Sequence, residues 1–383
     1  MFGKITAREL ADRQDTGTGD YTLIDTRPED SYGSWRVEGA VNVPFGPAEV
    51  LDEDKSGEID ALAGGTEILT ICGKGATSTR LASELDANGF EDVAVLTDGM
   101  RAWNALYETA EVETTSEDLF ITQFQRRAKG CLSYLVGSHS ASEAVVVDPT
   151  RHTDQYITTA AEHGVEITHV LDTHVHADHL SGGRDLAARL GVPYHLGERA
   201  TERDLGYEFT PLADGETIAV GDVEIETLFA PGHTSETVAY RVGEEAVLTG
   251  DSLFLDSVGR TELEFGEDEA EQGARMQYEA LHGTLLELPK ELTVLPGHVT
   301  VNADGTYANA SPGELVGAPL GEVHERLDLA DLAEEEFVER MVENVPEKPD
   351  NYETVIAINR GTESAENTAE ATTLETGANN CAA

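Results

Sequence analysis

The stretch Thr173-His174-Val175-His176-Ala177-Asp178-His179 places three imidazoles and a carboxylate within six positions. It directly follows the apolar run Ile167 to Leu171, which reads as a buried strand. Imidazole and carboxylate together suit zinc, iron or manganese. Three further stretches repeat the arrangement. Val223 to Phe229 runs into Pro231-Gly232-His233, Ala246 to Thr249 into Gly250-Asp251, and Leu292 to Leu295 into Pro296-Gly297-His298. Each is a short β-prone run with a metal-capable residue just past its end, after a glycine that lets the backbone turn tightly. Four such strands ending on one sheet edge are expected to bring seven ligands together. Burying so many ionisable groups without a metal would cost several kcal/mol. The other histidines (His139, His152, His163, His169, His195, His282 and His324) stand singly and read as ordinary core or surface residues.

At 383 residues the chain is long enough for two or three domains, each with its own core. Acidic side chains outnumber basic ones 74 to 25, for a formal charge of −49. The acid is spread along the chain rather than gathered in a tail. Nucleic acid and anionic membranes are repelled by such a surface and are not expected as partners. The composition resembles that of a cytoplasmic protein from a salt-accumulating halophile. Three cysteines, Cys72, Cys131 and Cys381, make no disulfide framework. The opening Met1 to Thr6 lacks a hydrophobic signal core, and no run of eighteen apolar residues occurs. A reducing, cytoplasmic setting is the expectation. A homo-oligomer is compatible with the sequence.

Residues 1–108 alternate strands with helical patterns. Tyr21 to Ile24 ends in Asp25-Thr26-Arg27, Glu67 to Ile71 ends in Cys72, and Val93 to Leu96 ends in Asp98-Gly99. Between the last two, Ser78 to Asn88 has helical spacing with Leu81 and Leu85 on one face. This alternation argues a parallel sheet. A cysteine at a strand end, followed by the loop Gly73-Lys74-Gly75-Ala76-Thr77-Ser78 into a helix, faces backbone N–H groups and a positive helix terminus. Both favour a thiolate and would hold the anionic end of a persulfide. Residues 109–117, acidic and without apolar periodicity, read as a linker. A strand-rich domain spans 118–361, and 362–383, poor in large apolar residues, reads as a disordered tail. Cys131 lies in an apolar strand pattern and reads as core, and Cys381 as an incidental thiol of the tail.

The His-x-His-x-Asp-His motif with separated His233, Asp251 and His298 resembles the metallo-β-lactamase fold, over about Asp118 to Gly361. Within that superfamily, Gly130 to Leu135, Thr249 to Phe254, Gly259-Arg260-Thr261-Glu262-Leu263 and Asn351 to Gly361 resemble persulfide dioxygenases, relatives of glyoxalase II. The pieces Ile24 to Arg27, Glu38 to Pro44, Cys72 to Ser78 and Asp98 to Trp103 resemble the rhodanese (sulfurtransferase) domain. The implied architecture is an α/β rhodanese-like parallel-sheet domain followed by an αββα metallo-β-lactamase sandwich. The dioxygenase resemblance implies one Fe(II) per chain on His174, His233 and Asp251, with His176, Asp178, His179 and His298 orienting ligands and moving protons. Arg260 is then a candidate for holding the anionic substrate. It implies oxidation of a thiol persulfide by O₂ to sulfite and thiol, fed from a sulfane-sulfur donor through Cys72. The glyoxalase II resemblance implies instead two Zn(II) on all seven ligands and thioester hydrolysis. A non-catalytic sulfur carrier or sensor is a third reading, opposed by the intact His174, His233 and Asp251 set. Where rhodaneses often carry arginine, this chain has Thr77, with Arg80 near enough to stand in. Selectivity for thiosulfate is therefore not implied.

The charge makes a direct prediction. The melting temperature should rise steeply with KCl into the molar range and flatten once the screening length falls to about 3 Å. Sulfate or phosphate salts should act at lower concentration than chloride, because they also strengthen apolar burial. A melting temperature independent of salt would remove the link between the acidic surface and a saline habitat.

Overall fold

In a computed structural model of the chain, Tyr21–Asp25, Glu67–Ile71 and Val93–Leu96 form the middle of a five-stranded sheet. Its order is Gly3–Ile5, Val93–Leu96, Glu67–Ile71, Tyr21–Asp25 and Val41–Asn42, with every pairing parallel. Parallel sheets are covered on both faces, which is why these strands read as continuous apolar runs. Alternation sends Leu69, Ile71, Ala94 and Leu96 into one core with Leu10 and Trp103. Ile68, Val93 and Val95 go into the opposite core with Ile59, Leu81 and Leu85. The helix Ala76–Ala87 follows Cys72 where the Leu81 and Leu85 spacing predicts one. The described residues are 1–266, 270–343, 345, 348 and 351–375. They divide into two units, the first comprising 1–107, 126–129 and 301–312.

The second unit is a sandwich of two mixed sheets. One has seven strands, ordered Thr210–Leu212, Tyr194–Gly197, Glu166–Leu171, Glu143–Val147, Leu132–Ser138, Leu119–Arg126 and Tyr107–Val112. The other has six, ordered Thr217–Val220, Val223–Phe229, Val238–Val242, Ala246–Gly250, Thr293–Pro296 and Ala318–Pro319. The helices Ala270–Ala280 and Glu334–Glu343 bury Ala274, Phe337 and Met341 in a core with Val247 and Val294 of the six-stranded sheet. No helix among the described residues is long and apolar enough to cross a membrane.

Three sequence expectations are corrected. The four ligand-bearing strands do not share one sheet edge. Glu166–Leu171 belongs to the seven-stranded sheet, whereas Val223–Phe229, Ala246–Gly250 and Thr293–Pro296 belong to the other. The linker expected at 109–117 begins inside a strand, Tyr107–Val112. Ala110 and Val112 are buried while Glu111 and Glu113 are exposed, a two-residue alternation that small apolar residues and abundant acid conceal. It is the outermost strand of its sheet, where charged side chains are the rule.

The disorder expected from residue 362 onward is likewise displaced by structure as far as residue 375. Thr368–Leu374 is a helix whose Asn367 side chain accepts from the N–H groups of Ala369 and Glu370 at 2.9 and 3.1 Å. Ala371 and Leu374 pack in a small core with Leu180 and Val355. Buried Glu375 accepts from Leu180 N at 2.9 Å and from Arg151 Nε at 2.6 Å. Residues 376–383, including Cys381, lie outside the described residues. Glu375→Ala should lower stability by about 3 kcal/mol, because it strips the partner from a largely buried guanidinium. Urea unfolding measures this, and an unchanged midpoint would return the segment to a dispensable tail.

Candidate functional site

Three ligand atoms converge in the second unit. His174, His233 and Asp251 offer donors lying within 4.8 Å of one another, all of them buried. His174 Nε2 stands 4.0 Å, and His233 Nε2 3.6 Å, from Asp251 Oδ2. Hydrogen bonds behind the rings decide which nitrogen faces the centre. His233 Nδ1 donates to the Arg260 carbonyl at 2.7 Å, which leaves a lone pair on Nε2. Thr173 Oγ1 donates its one proton to Asp148 Oδ2 at 2.9 Å and so accepts from His174 Nδ1 at 2.9 Å. His174 Nε2 is therefore also a bare acceptor. Burial, with His176 and His233 beside it, holds the His174 imidazole well below the usual histidine range and neutral. Asp251 Oδ1 accepts from His298 Nδ1 at 2.7 Å. His174 Nε2 and Asp251 Oδ2 are buried without a hydrogen-bond partner. These two orphaned acceptors, together with the lone pair on His233 Nε2, give two imidazoles and one carboxylate, a donor set that fits a divalent transition metal.

The other histidines of the motif face different carboxylates, although the His176 ring lies beside that of His174, with centroids 4.2 Å apart. His176 Nε2 lies 3.4 Å from Asp148 Oδ1 and 3.9 Å from Asp172 Oδ1. Burial opposes its charge, but the two carboxylates win and raise its pKa well above the ordinary value. Asp178 lies between His179 Nδ1, at 3.1 Å, and His298 Nε2, at 2.8 Å. Burial would raise the Asp178 pKa, yet those two rings hold it well below the usual carboxylate range. The same pairing lifts His179 to about 9 against its own desolvation.

Cys131 was expected in the core and is buried, but its Sγ lies 3.6 Å from Asp178 Oδ2, inside this cluster. Burial and the Asp178 charge work to raise its pKa, and His179 together with His298 outweighs them to bring the thiol to about 6. Asp148 and Asp172, which the sequence reading passed over, carry the same signal as the recognised ligands. Each follows an apolar strand, Glu143–Val147 and Glu166–Leu171.

The Arg260 side chain, a candidate for holding the anionic substrate, is fully buried, and its Nε donates to Glu262 Oε1 at 2.5 Å. Its carbonyl, by contrast, orients His233. The backbone around the trio leaves no room for side chains. A Cβ on Gly297 would sit 2.4 Å from Asp251 Oδ1, and one on Gly250, at φ +51°, 2.6 Å from Thr173 Oγ1. The motif loop is held from the C-terminal side. Asn359 Nδ2 donates to the carbonyls of His176 and His179, each at 2.8 Å, and its Oδ1 accepts from Ser181 N at 3.0 Å.

In the first unit Cys72 ends the strand Glu67–Ile71, and Ser78 Oγ donates to its Sγ at 3.2 Å. Burial opposes ionisation, but the hydroxyls of Ser78 and Thr77 and the N–H groups of Ser78 and Lys74 lower the thiol pKa overall. A cavity of ≈ 550 Å³ opens beside it, lined by Arg27, Pro44, Phe45, Lys74 and Thr77 among others. Arg27 is engaged with Asp25 Oδ2 at 2.6 Å and the Trp35 carbonyl at 2.6 Å. Arg80, expected to stand in for the missing loop arginine, bonds instead to Glu84 Oε1 at 3.1 Å and to the Pro47 carbonyl.

Residues 6–106 match the family model for the rhodanese-like domain, and residues 126–298 match that for the metallo-beta-lactamase superfamily. The second domain is 29% identical over 173 residues to the mitochondrial persulfide dioxygenase ETHE1 of Bos taurus, a match covering 44% of this chain and 65% of that protein. It is 32% identical over 153 residues to a probable hydroxyacylglutathione hydrolase of Schizosaccharomyces pombe, covering 39% of this chain and 55% of the relative. The chain thus spans less than two thirds of either relative's length. Among solved structures, that of ETHE1 from Myxococcus xanthus is 27% identical with a TM-score of 0.54, covering 63% of this chain and 98% of that one. The chain is a rhodanese-like domain followed by a metallo-β-lactamase-fold domain that carries buried His/Asp metal sites.

Proposed function

We propose that the second domain oxidises a low-molecular-weight thiol persulfide to sulfite with one ferrous iron held by His174, His233 and Asp251. One observation supports the reading: the donors of His174, His233 and Asp251 lie within 4.8 Å of one another, while His176 Nε2 faces Asp148 and Asp172 from 3.4 and 3.9 Å, without a hydrogen bond to either. A two-zinc hydrolase would draw His176 in with His174 and His233. Two imidazoles and one carboxylate are the donor set of non-haem iron oxygenases. The name of the Bos taurus relative, a persulfide dioxygenase, supports the same choice.

The balanced reaction is RSSH + O₂ + H₂O → RSH + SO₃²⁻ + 2H⁺. Ferrous iron supplies the redox chemistry that dioxygen requires and that side chains lack. The protein's part is orientation. Thr173 and the Arg260 carbonyl fix the two imidazole tautomers, and His298 Nδ1 holds the Asp251 carboxylate.

In the first domain Cys72 carries sulfane sulfur as a persulfide. The hydroxyl of Ser78 and the loop N–H groups stabilise the terminal anion. The mostly apolar cavity and the absence of a loop arginine suit a thiol-borne or neutral sulfane donor better than dianionic thiosulfate. A low-molecular-weight thiol takes the outer sulfur, Cys72–SSH + RSH → Cys72–SH + RSSH, and the RSSH so formed is the substrate of the second domain. The alternative, a two-zinc thioester hydrolase, has the Schizosaccharomyces pombe relative in its favour.

Full chain purified without oxygen should contain one iron and take up O₂ in proportion to added thiol persulfide, with sulfite formed. Asp251→Asn should lose most of the iron and roughly tenfold or more of the activity. Two zinc ions with thioester hydrolysis and no O₂ uptake would overturn the assignment.

Cys72→Ser should abolish sulfur transfer from a sulfane donor, yet leave O₂ uptake on supplied persulfide within about twofold, since each domain has its own core. Loss of both activities would refute this division of labour, and normal transfer would make Cys72 inert.

A further inference from the structure

The two imidazoles of the trio come from different sheets. His174 follows Glu166–Leu171 of the seven-stranded sheet, and His233 follows Val223–Phe229 of the six-stranded one. Those strands are not hydrogen-bonded to each other, so the spacing of the two rings is set by what bridges the sheets at their ends. Three residues past His233 stands Glu236, which is 1% exposed. Its Oε1 accepts from Val175 N, one position past His174, at 3.0 Å. On the other side of His174 the Thr173 carbonyl accepts from Val238 N at 2.9 Å. The backbone of His174 is thus clamped between two bonds to the segment that carries His233. The carboxylate is itself aimed. Arg203 Nη1 donates to Glu236 Oε2, and the same nitrogen donates to Glu264 Oε2 at 2.7 Å. Glu264 in turn accepts from Ser235 N and Oγ at 2.7 and 2.6 Å, and the Arg203 carbonyl accepts from Arg360 Nε at 2.8 Å.

We propose that Glu236 is a positioning residue for the metal: its carboxylate, aimed by Arg203, sets the spacing of His174 and His233 and thereby the affinity and geometry of the ion that the trio holds. A backbone N–H bonded to a carboxylate makes a shorter and stronger bond than one to a neutral acceptor, which suits a brace between two sheets. The position requires an acid. Val175 N and Arg203 Nη1 both donate to it, and a glutamine, with one acceptor oxygen, would turn its NH₂ group on one of them. Arg203 is required in turn, because without it two carboxylates, one fully buried, would face each other uncompensated. The inference rests on the reading that the trio holds a divalent metal. It is the same whether that metal is iron or zinc, and whichever reaction follows.

The test titrates the metal-stripped full chain with Co(II) under anaerobic conditions. The titration gives the affinity, and the visible d–d bands at saturation report the geometry of the bound ion. Asp251→Asn should lose the equivalent held by the trio and so identify its bands. Glu236→Gln and Arg203→Met should each bind that equivalent roughly tenfold or more weakly and shift its bands. Arg203→Lys should return both readings toward the parent, because an ammonium can replace the single nitrogen that serves both carboxylates. Phe337→Leu, in the core behind the six-stranded sheet, supplies the comparison for a purely structural loss: its urea midpoint should fall while affinity and bands stay as in the parent. Parent-like affinity and bands in Glu236→Gln, or a lowered urea midpoint with unchanged bands, would overturn the proposal. Where Glu236→Gln does not fold, the contrast between Arg203→Met and Arg203→Lys decides it, and equal behaviour of those two would overturn it. An unaltered titration in Asp251→Asn would instead overturn the metal reading on which the proposal stands.

Discussion

An ionisable group taken out of water has to be paired, hydrogen-bonded or bound to a metal, and this constraint organises the second domain. Most of the buried groups are paired by protein. Asp148 and Asp172 flank His176, and Asp178 lies between His179 and His298. The atoms left over are informative because so much else is satisfied. His174 Nε2, His179 Nε2 and Asp251 Oδ2 are among those without a hydrogen-bond partner. They mark where a cation would be stabilised, two at the His174, His233 and Asp251 trio and one beside Asp178.

Orientation comes from the layers behind the ligands. The Asp148–Thr173–His174 relay and the Arg260 carbonyl on His233 fix ring tautomers before any ion arrives. Gly250 and Gly297 let backbone approach Thr173 and Asp251 at distances that a Cβ would forbid. Asn359 ties down the loop holding His176 and His179 from a helix far along the chain. A preorganised donor set avoids reorganisation when metal binds, which is where such outer hydrogen bonds gain their effect.

The first domain stabilises negative charge by another route. At Cys72 a hydroxyl, loop N–H groups and the start of the helix Ala76–Ala87 lower the thiol pKa without a cation in direct contact. The nearby arginines are engaged elsewhere: Arg27 with Asp25, Arg80 with Glu84. Such a pocket suits a sulfur atom that gains and loses charge during transfer, whereas dioxygen chemistry needs the redox-active ion that the second domain's donor set fits.

Much of this was legible in the residues. Seven metal-capable side chains following β-prone runs, the cysteine between strand and helix, and the parallel-sheet alternation are local signals, because a strand end and its turn are encoded within a few positions. Partnership is not local. That Arg260 pairs with Glu262 depends on the packing around its side chain. That Cys131 joins Asp178 depends on a strand bridge to His298 between residues more than a hundred positions apart. The edge strand Tyr107–Val112 and the helix Thr368–Leu374 lack large apolar residues, and their order comes from the sheet and the small core that receive them. Which atoms would meet at the end of the strands was therefore written in the chain. Which of them are already paired, and hence which must find a metal, depends on distances that exist only once the two sheets have packed.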